Sequence, residues 1–563
     1  MIILGINSFF EHPAVALVQD GELVFAIEEE RLTRIKHGRK YTPYKLYLPF
    51  ESIGAALRHA NVRSADIDEL AYSYDPWQHI AAAWGCFSGK RLSSFREEFA
   101  AFVNVLNIKR ALQSAHEIPH RYTDVLTPFD FGRTRFRRWD HHLSHAASAF
   151  FCSGFDESLI VVADGSGERA CTSVYVGRGR RIEPVASVAL PHSLGLFYSF
   201  ITAHLGFEPF ADEYKVMGLA AYGNDRYSQD IGRILHGAPA GRYRIVLSRL
   251  TELEATLGPK RLAGEPIEQR HKDIACSAQR VLEDVLLELI AYHLHKSGLR
   301  HLCTAGGVFL NCVANGRISR LPALDRYFVQ PAAHDAGTAI GAAALSSVAR
   351  GGPAQLRYAS MLLGTDYGDD EIERTLAEAR VRFMRVTSAA VPATLARLLA
   401  NERVVALFRG RMEFGPRSLG GRSLLASPRS AVTRERLNAI KGREQFRPLA
   451  PLVREEDYDR FFEGPANRYM MFAVKARPET ARIAPAVVHA DHTARAQIVR
   501  CADDPFLHET LSCFYDATGV PILVNTSLNV RGKPIDESPT DALCSFLTSG
   551  ADALMIGSYL VER

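Results

Sequence analysis

His141 and His145 stand four apart in His141-His142-Leu143-Ser144-His145, at the start of an alanine-rich stretch. On a helix that spacing puts both side chains on one face, where two imidazoles can grip one metal ion. Two histidines that merely cap and pack would look the same. Two aspartates favour the metal: Asp164 ends an apolar run and Asp335 precedes a small-residue helix, and buried carboxylates are rare without a partner. Imidazole plus carboxylate oxygen suits iron, manganese or zinc, with positions left open for a ligand.

Two glycine loops accompany these residues. Asp164-Gly165-Ser166-Gly167 joins a strand to a hairpin, so its backbone N–H groups can form an anion nest, although a plain tight turn fits as well. Gly306-Gly307-Val308-Phe309-Leu310-Asn311 lies between a strand and a helix, where a ligand can approach the backbone and the helix N-terminus favours negative charge. Together they predict a nucleotide pocket. Further on, residues 403–447 hold eleven Lys or Arg against Glu413, Glu435 and Glu444, a local net of +8 where the whole chain carries +4. A solvated helix face is the usual meaning of such a run. These arginines are interleaved with Gly415-Pro416-Arg417 and Phe446-Arg447-Pro448 turns, so a small, highly anionic substrate held by guanidinium forks is the better reading. His12, in the loop closing the first hairpin, is a candidate base.

The elements that must position these groups follow from periodicity. Ile2 to Ile6, Ala14 to Gln19 and Glu22 to Ile27, with Asp20-Gly21 as the turn, predict a strand leading into a hairpin. The pattern returns at Leu159 to Ala163, Thr172 to Val176 and Arg181 onward, which predicts two duplicated halves. A long helix from Ile274 toward His295, strands at Leu302 to Thr304 and Tyr327 to Val329, and a helix from Ala336 to Val348 complete a layered α/β unit. Arg350-Gly351-Gly352-Pro353 reads as a linker between domains at 1–353 and 360–563, the second also α/β. With 563 residues at least two domains are expected, and 47% apolar with 23% charged residues excludes wholesale disorder, collagen and coiled coil. A net +4 is too small for a nucleic-acid or membrane-surface binder. The nine cysteines form no CxxC motif and read as reduced core thiols, and without a signal peptide or membrane span a cytoplasmic location is expected.

The chain resembles the NodU/CmcH-type O-carbamoyltransferases from end to end. The matching strings are Glu28-Glu-Glu-Arg-Leu-Thr-Arg-Ile-Lys-His37, His141-His-Leu-Ser-His145, Glu213-Tyr-Lys-Val-Met-Gly-Leu-Ala220, Gly306-Gly-Val-Phe-Leu-Asn-Cys-Val-Ala-Asn-Gly316, Gly410-Arg-Met-Glu-Phe-Gly-Pro-Arg417 and Asn525-Thr-Ser-Leu-Asn529. The resemblance implies a duplicated actin/sugar-kinase-like (ribonuclease-H-like) first domain and a YrdC-like α/β second domain. It implies that the second domain makes carbamoyl adenylate from carbamoyl phosphate and ATP. The first then transfers the carbamoyl group to a hydroxyl of a small-molecule or oligosaccharide acceptor. By resemblance, His141, His145, Asp164 and Asp335 hold a divalent metal, iron in better-known relatives. Arg417, Lys441, Arg447, Arg495 and Arg531 hold carbamoyl phosphate and adenylate, with Lys215, Asn311, Arg443, Asn525 and Ser527 beside them. Lys441 and Arg447 join His12 as the catalytic set.

The chain departs from the family at His12-Pro13-Ala14, where an aspartate usually follows the histidine, at Ala221 in place of a proline, and at His334 in place of a small residue before Asp335. Acceptor contacts are expected on loops such as 77–130 and 225–272. The rival readings are a phosphoryl-transferring kinase of the same duplicated fold and a nucleotide-gated binding module.

Overall fold

The computed structural model describes residues 1–38, 49–79, 129–132, 134–250 and 252–563. Strands β1 (Ile2–Asn7), β2 (Ala14–Gln19), β3 (Glu22–Glu28), β4 (Glu69–Tyr72) and β5 (Arg135–Arg138) form one sheet in the order β3-β2-β1-β4-β5. β1 to β3 pair antiparallel, whereas β4 and β5 add parallel to β1. The second sheet repeats this plan with β6 (Glu157–Ala163), β7 (Thr172–Arg178), β8 (Arg181–Val188), β9 (His301–Ala305) and β10 (Arg326–Val329), in the order β8-β7-β6-β9-β10 and with the same directions. The duplication read from the repeated hairpin is therefore present strand for strand. The loop after β1 carries His12, and its counterpart after β6 carries Asp164.

Period-2 alternation in β1 and β2 buries both faces of the first sheet. Ile3, Ala14, Ala16 and Val18 face the main core, while Leu4, Ile6, Val15 and Leu17 pack with Ile53 and Leu57 on the other side. Between the sheets lie helices α1 (His141–Phe150) and α2 (Gly337–Ala349). Their small residues permit unusually close approach: a Cβ on Gly341 would lie 1.7 Å from the Ser144 carbonyl oxygen, and one on Gly5 would lie 2.0 Å from that of Ala339. Neither glycine admits a larger residue without moving backbone.

The linker is not a free tether. After the turn at Gly351, the Arg357 N–H donates to the Gly21 carbonyl and the Leu23 and Ala26 N–H groups donate to the Arg357 and Leu363 carbonyls, so residues 357–363 cover the open edge of β3. The second half is a mixed eight-stranded sheet. Its strands are β11 (Met384–Arg385), β12 (Val405–Phe408), β13 (Arg422–Ala426), β14 (Ala450–Arg454), β15 (Gln497–Val499), β16 (Ile522–Ser527), β17 (Ala553–Ile556) and β18 (Tyr559–Glu562), in the order β11-β18-β17-β12-β13-β16-β14-β15. One apolar core runs through both halves without interruption.

Eight of the cysteines are free thiols, and Cys86 lies outside the described residues. Most of the 77–130 loop, on which acceptor contacts are expected, does too. No described helix is long and apolar enough to cross a membrane.

Candidate functional site

Asp140 begins α1 by accepting the Leu143 N–H at 2.8 Å, an ordinary N-cap. One turn of helix then brings His141 and His145 to the same face, both fully buried. Asp164 meets them from the end of β6 and Asp335 from the turn before α2. His141 Nε2 lies 3.4 Å from Asp164 Oδ2 and 3.6 Å from Asp335 Oδ1, and His145 Nε2 lies 3.4 and 3.5 Å from the same two atoms. A first-row ion with bonds of about 2.1 Å keeps its ligand atoms roughly 3.0–3.4 Å apart, so the quartet fits a divalent metal. The remaining carboxylate oxygens are held in place: Gly307 N–H donates to Asp164 Oδ1 at 3.2 Å and Glu11 N–H to Asp335 Oδ2 at 2.8 Å. Burial alone would raise both carboxyls, but their contacts with the two histidines hold them below the usual range. Against the opposing effect of burial, the same contacts push His141 well up.

His142, pointing the other way as helical spacing requires, bonds Ser173 Oγ at 2.7 Å and is held down to about 3 by burial and the neighbouring His141. Sequence reasoning missed Glu168, which accepts the His141 N–H with both oxygens at 3.0 Å and the Asp75 N–H at 2.9 Å. Burial and Asp140 push its carboxyl up to about 8.

A cavity of about 1080 Å³ adjoins the quartet, and both halves of the chain line it. Its first-half wall includes His12, Asp164, Gly165, Ser166, Gly307 and Asp335, with Lys215 and Asn311 farther along. Its second-half wall includes Arg417, Lys441, Arg443, Arg447, Ser527 and Arg531. Six expected residues do not line it: His141 and His145 are buried behind Asp164 and Asp335, and four of the expected anion-binding residues lie elsewhere. Gly167 packs so closely on His142 that a Cβ would lie 2.7 Å from the ring, and its N–H donates to the Ala170 carbonyl. Gly306, at φ +97, allows the backbone to pass over Ala163. Asn525 donates to the Ser418 carbonyl and to Gln497, bracing the residue after Arg417. Arg495 stands behind the wall, close enough for its charge to depress Arg417 and Arg443.

No carboxylate bonds the guanidinium groups of Arg417 and Arg443 in the cationic wall. Burial and the neighbouring guanidinium groups pull Arg417 and Arg443 each down to about 9. Arg417 bonds the Leu310 carbonyl and Arg443 bonds Asn438 and Thr526, none of them a carboxylate, while Arg417 Nε, Arg443 Nη2 and Arg495 Nε are buried without a partner. Lys441 donates to the Ser527 carbonyl and hydroxyl and to Asn529 Oδ1. Burial and Arg443 press its pKa well down, yet three acceptors around one nitrogen are the coordination of an ammonium, and that form fits an anion beside it. Arg447 lies over the Tyr214 ring, 4.5 Å from its centre, and Lys215 pairs with Glu444 at 3.0 Å across the two halves. Such a wall accepts a polyanion.

His12, at φ 52, shares a 3.0 Å hydrogen bond between its Nε2 and His37 Nδ1, and its Nδ1 is buried without a partner. Burial, with His334 and His37 adding to it, holds His12 well below the ordinary histidine range. The side chain that bonds His12 is thus His37, from the far end of the Glu28 to His37 string.

Family models for the carbamoyltransferase N-terminus and C-terminus match residues 2–344 and 396–563. Nodulation protein NolNO of Sinorhizobium fredii is 38% identical over 99% of this chain and 80% of that protein. Nodulation protein NolO of Bradyrhizobium diazoefficiens is 39% identical over 75% of this chain and 79% of that protein. Among solved structures, HypF of T. kodakarensis is similar at a TM-score of 0.32 and 13% identity, over 62% of this chain and 48% of that chain. Matched along both halves, with the aspartates of the His/Asp quartet and the cationic wall facing one cavity, the chain belongs to the carbamoyltransferase family.

Proposed function

We propose that the protein takes its carbamoyl group from carbamoyl phosphate, activates it with ATP as carbamoyl adenylate and transfers it to a hydroxyl of a small-molecule or oligosaccharide acceptor. The observation that carries this reading is one cavity lined at once by Asp164 and Asp335, the two carboxylates of the metal-type quartet, and by the guanidinium groups of Arg417 and Arg443, which bond no carboxylate. Phosphate leaves the carbamoyl group as water adds, the carbamate oxygen attacks the α-phosphorus of ATP, and pyrophosphate departs. Arg417, Arg443, Arg447 and Lys441 neutralise the phosphate oxygens through which charge passes. The acceptor oxygen then forms its bond to the carbamoyl carbon as the bond to AMP breaks, and its proton goes to His12. In the tautomer whose Nε2 donates to His37, Nδ1 of His12 is the free acceptor, and burial keeps it unprotonated at neutral pH. His141, His145, Asp164 and Asp335 would hold a divalent ion, iron by family resemblance, which would supply Lewis acidity to the reaction.

The two domains proposed from the sequence, 1–353 and 360–563, contribute one wall each. Incubation with ATP, carbamoyl phosphate and candidate hydroxyl compounds tests the reading: AMP, phosphate and pyrophosphate should appear with a carbamoylated product in the mass spectrum. Formation of ADP instead would show a kinase, and nucleotide binding without turnover would show a gated module.

A further inference from the structure

Arg417 reaches the cavity on the loop Gly415-Pro416-Arg417, yet groups from the other half of the chain fix that loop's backbone. Glu28 Oε1 accepts the Gly415 N–H at 3.0 Å, and Arg31 Nη2 donates to the Gly415 carbonyl at 2.9 Å. The same Arg31 nitrogen donates to Glu28 Oε2 at 2.8 Å. One ion pair therefore grips the glycine at both its polar groups. Gly415 sits at φ +106, and a Cβ there would lie 3.4 Å from Ala332, so the loop rests against the turn that carries His334 and Asp335. The gripping oxygen also lies 3.4 Å from His334 Nε2.

Glu28 is 1% and Arg31 2% exposed. A buried ion pair is weak evidence of stabilisation, because desolvation offsets most of the attraction and apolar residues of the same volume often do as well. Its worth here is geometric: a glycine at positive φ has more freedom to lose than any other residue, and two directed hydrogen bonds remove it. We propose that Glu28, backed by Arg31, is a positioning residue that sets the Gly415 loop so that Arg417 meets the donor phosphate. The inference rests on the carbamoyl phosphate reading above.

A double-mutant cycle on the full-length protein separates positioning from general support. Carbamoyl phosphate affinity is measured by calorimetry in the wild type, Glu28→Gln, Arg417→Ala and the double variant, with thermal unfolding and metal content as controls. Glu28→Gln should weaken binding about tenfold alone and less than about twofold in the Arg417→Ala background. Wild-type affinity in Glu28→Gln, or the same loss in both backgrounds, overturns the inference. Should Glu28→Gln not fold, Arg31→Lys, which keeps a cation beside Glu28 but loses the fork to the Gly415 carbonyl, enters the cycle under the same criteria. A wild-type protein that binds no carbamoyl phosphate overturns the donor assignment and this inference with it.

Discussion

Single side chains at this site differ chiefly in whether a partner is present. His145→Ala leaves Asp164 and Asp335 facing one imidazole, and bound metal should fall from near one equivalent to a trace while the chain still folds; elemental analysis of the purified variant reads this directly. Arg447→Ala removes a charge-assisted bond worth about 1.5–3 kcal/mol, so carbamoyl phosphate affinity should drop tenfold or more by calorimetry. His37 gives a pH signature. Burial holds it down to about 4, against 6.5 when free, so the folded chain refuses a proton that the unfolded chain accepts between those values. Its contribution to stability is complete above pH 6.5 and declines as the pH falls toward 4. The wild type should therefore lose stability faster than His37→Asn over that window, by up to about 1.4 kcal/mol per pH unit, as thermal unfolding at stepped pH would show.

At the level of elements, the quartet depends on how closely α1 and α2 approach. Gly341→Ala would drive a methyl group into the Ser144 carbonyl, and since both partners are backbone the helices must separate. Overpacking of this kind costs about 1–3 kcal/mol or more, and the shift carries His145 away from Asp335, so metal content should fall together with the melting temperature. Gly232→Ala, with nothing near its added carbon, should change neither. The helical spacing that makes His141 and His145 neighbours is a local property and was legible from sequence, as were the strands whose alternation and turns repeat. The Asp164 loop was legible only as a glycine-rich turn: that Gly165 reaches the cavity while Gly167 packs under His142 depends on a helix that comes earlier in the chain. Glu28, Arg31 and His37 stood in a matched string with no readable role, because their partners lie up to 387 positions away. Three acids and an arginine leaving an apolar hairpin were the available signal.

In the whole molecule, the seam between halves is part of the site. Arg34 reaches Asp536 at 2.8 Å and the Pro534 and Ile535 carbonyls, beside the loop that carries Arg531. A fragment of residues 1–353 keeps all four quartet residues but bares the edge of β3 and one side of the shared core, whereas residues 1–365 keep the edge covered. The longer fragment should be the more soluble of the two by fractionation after expression. Neither should bind carbamoyl phosphate.

The one shared cavity also governs what happens when no acceptor arrives. On the proposed reading, carbamoyl adenylate formed against the cationic wall need not cross bulk water to reach His12, and without a hydroxyl to attack it the mixed anhydride is expected to stay where it was made. A starved enzyme is then expected to idle instead of draining ATP: rapid mixing with ATP and carbamoyl phosphate alone should release a burst of about one pyrophosphate per chain and then fall quiet until acceptor is added, whereas steady pyrophosphate release would mean that the chamber leaks.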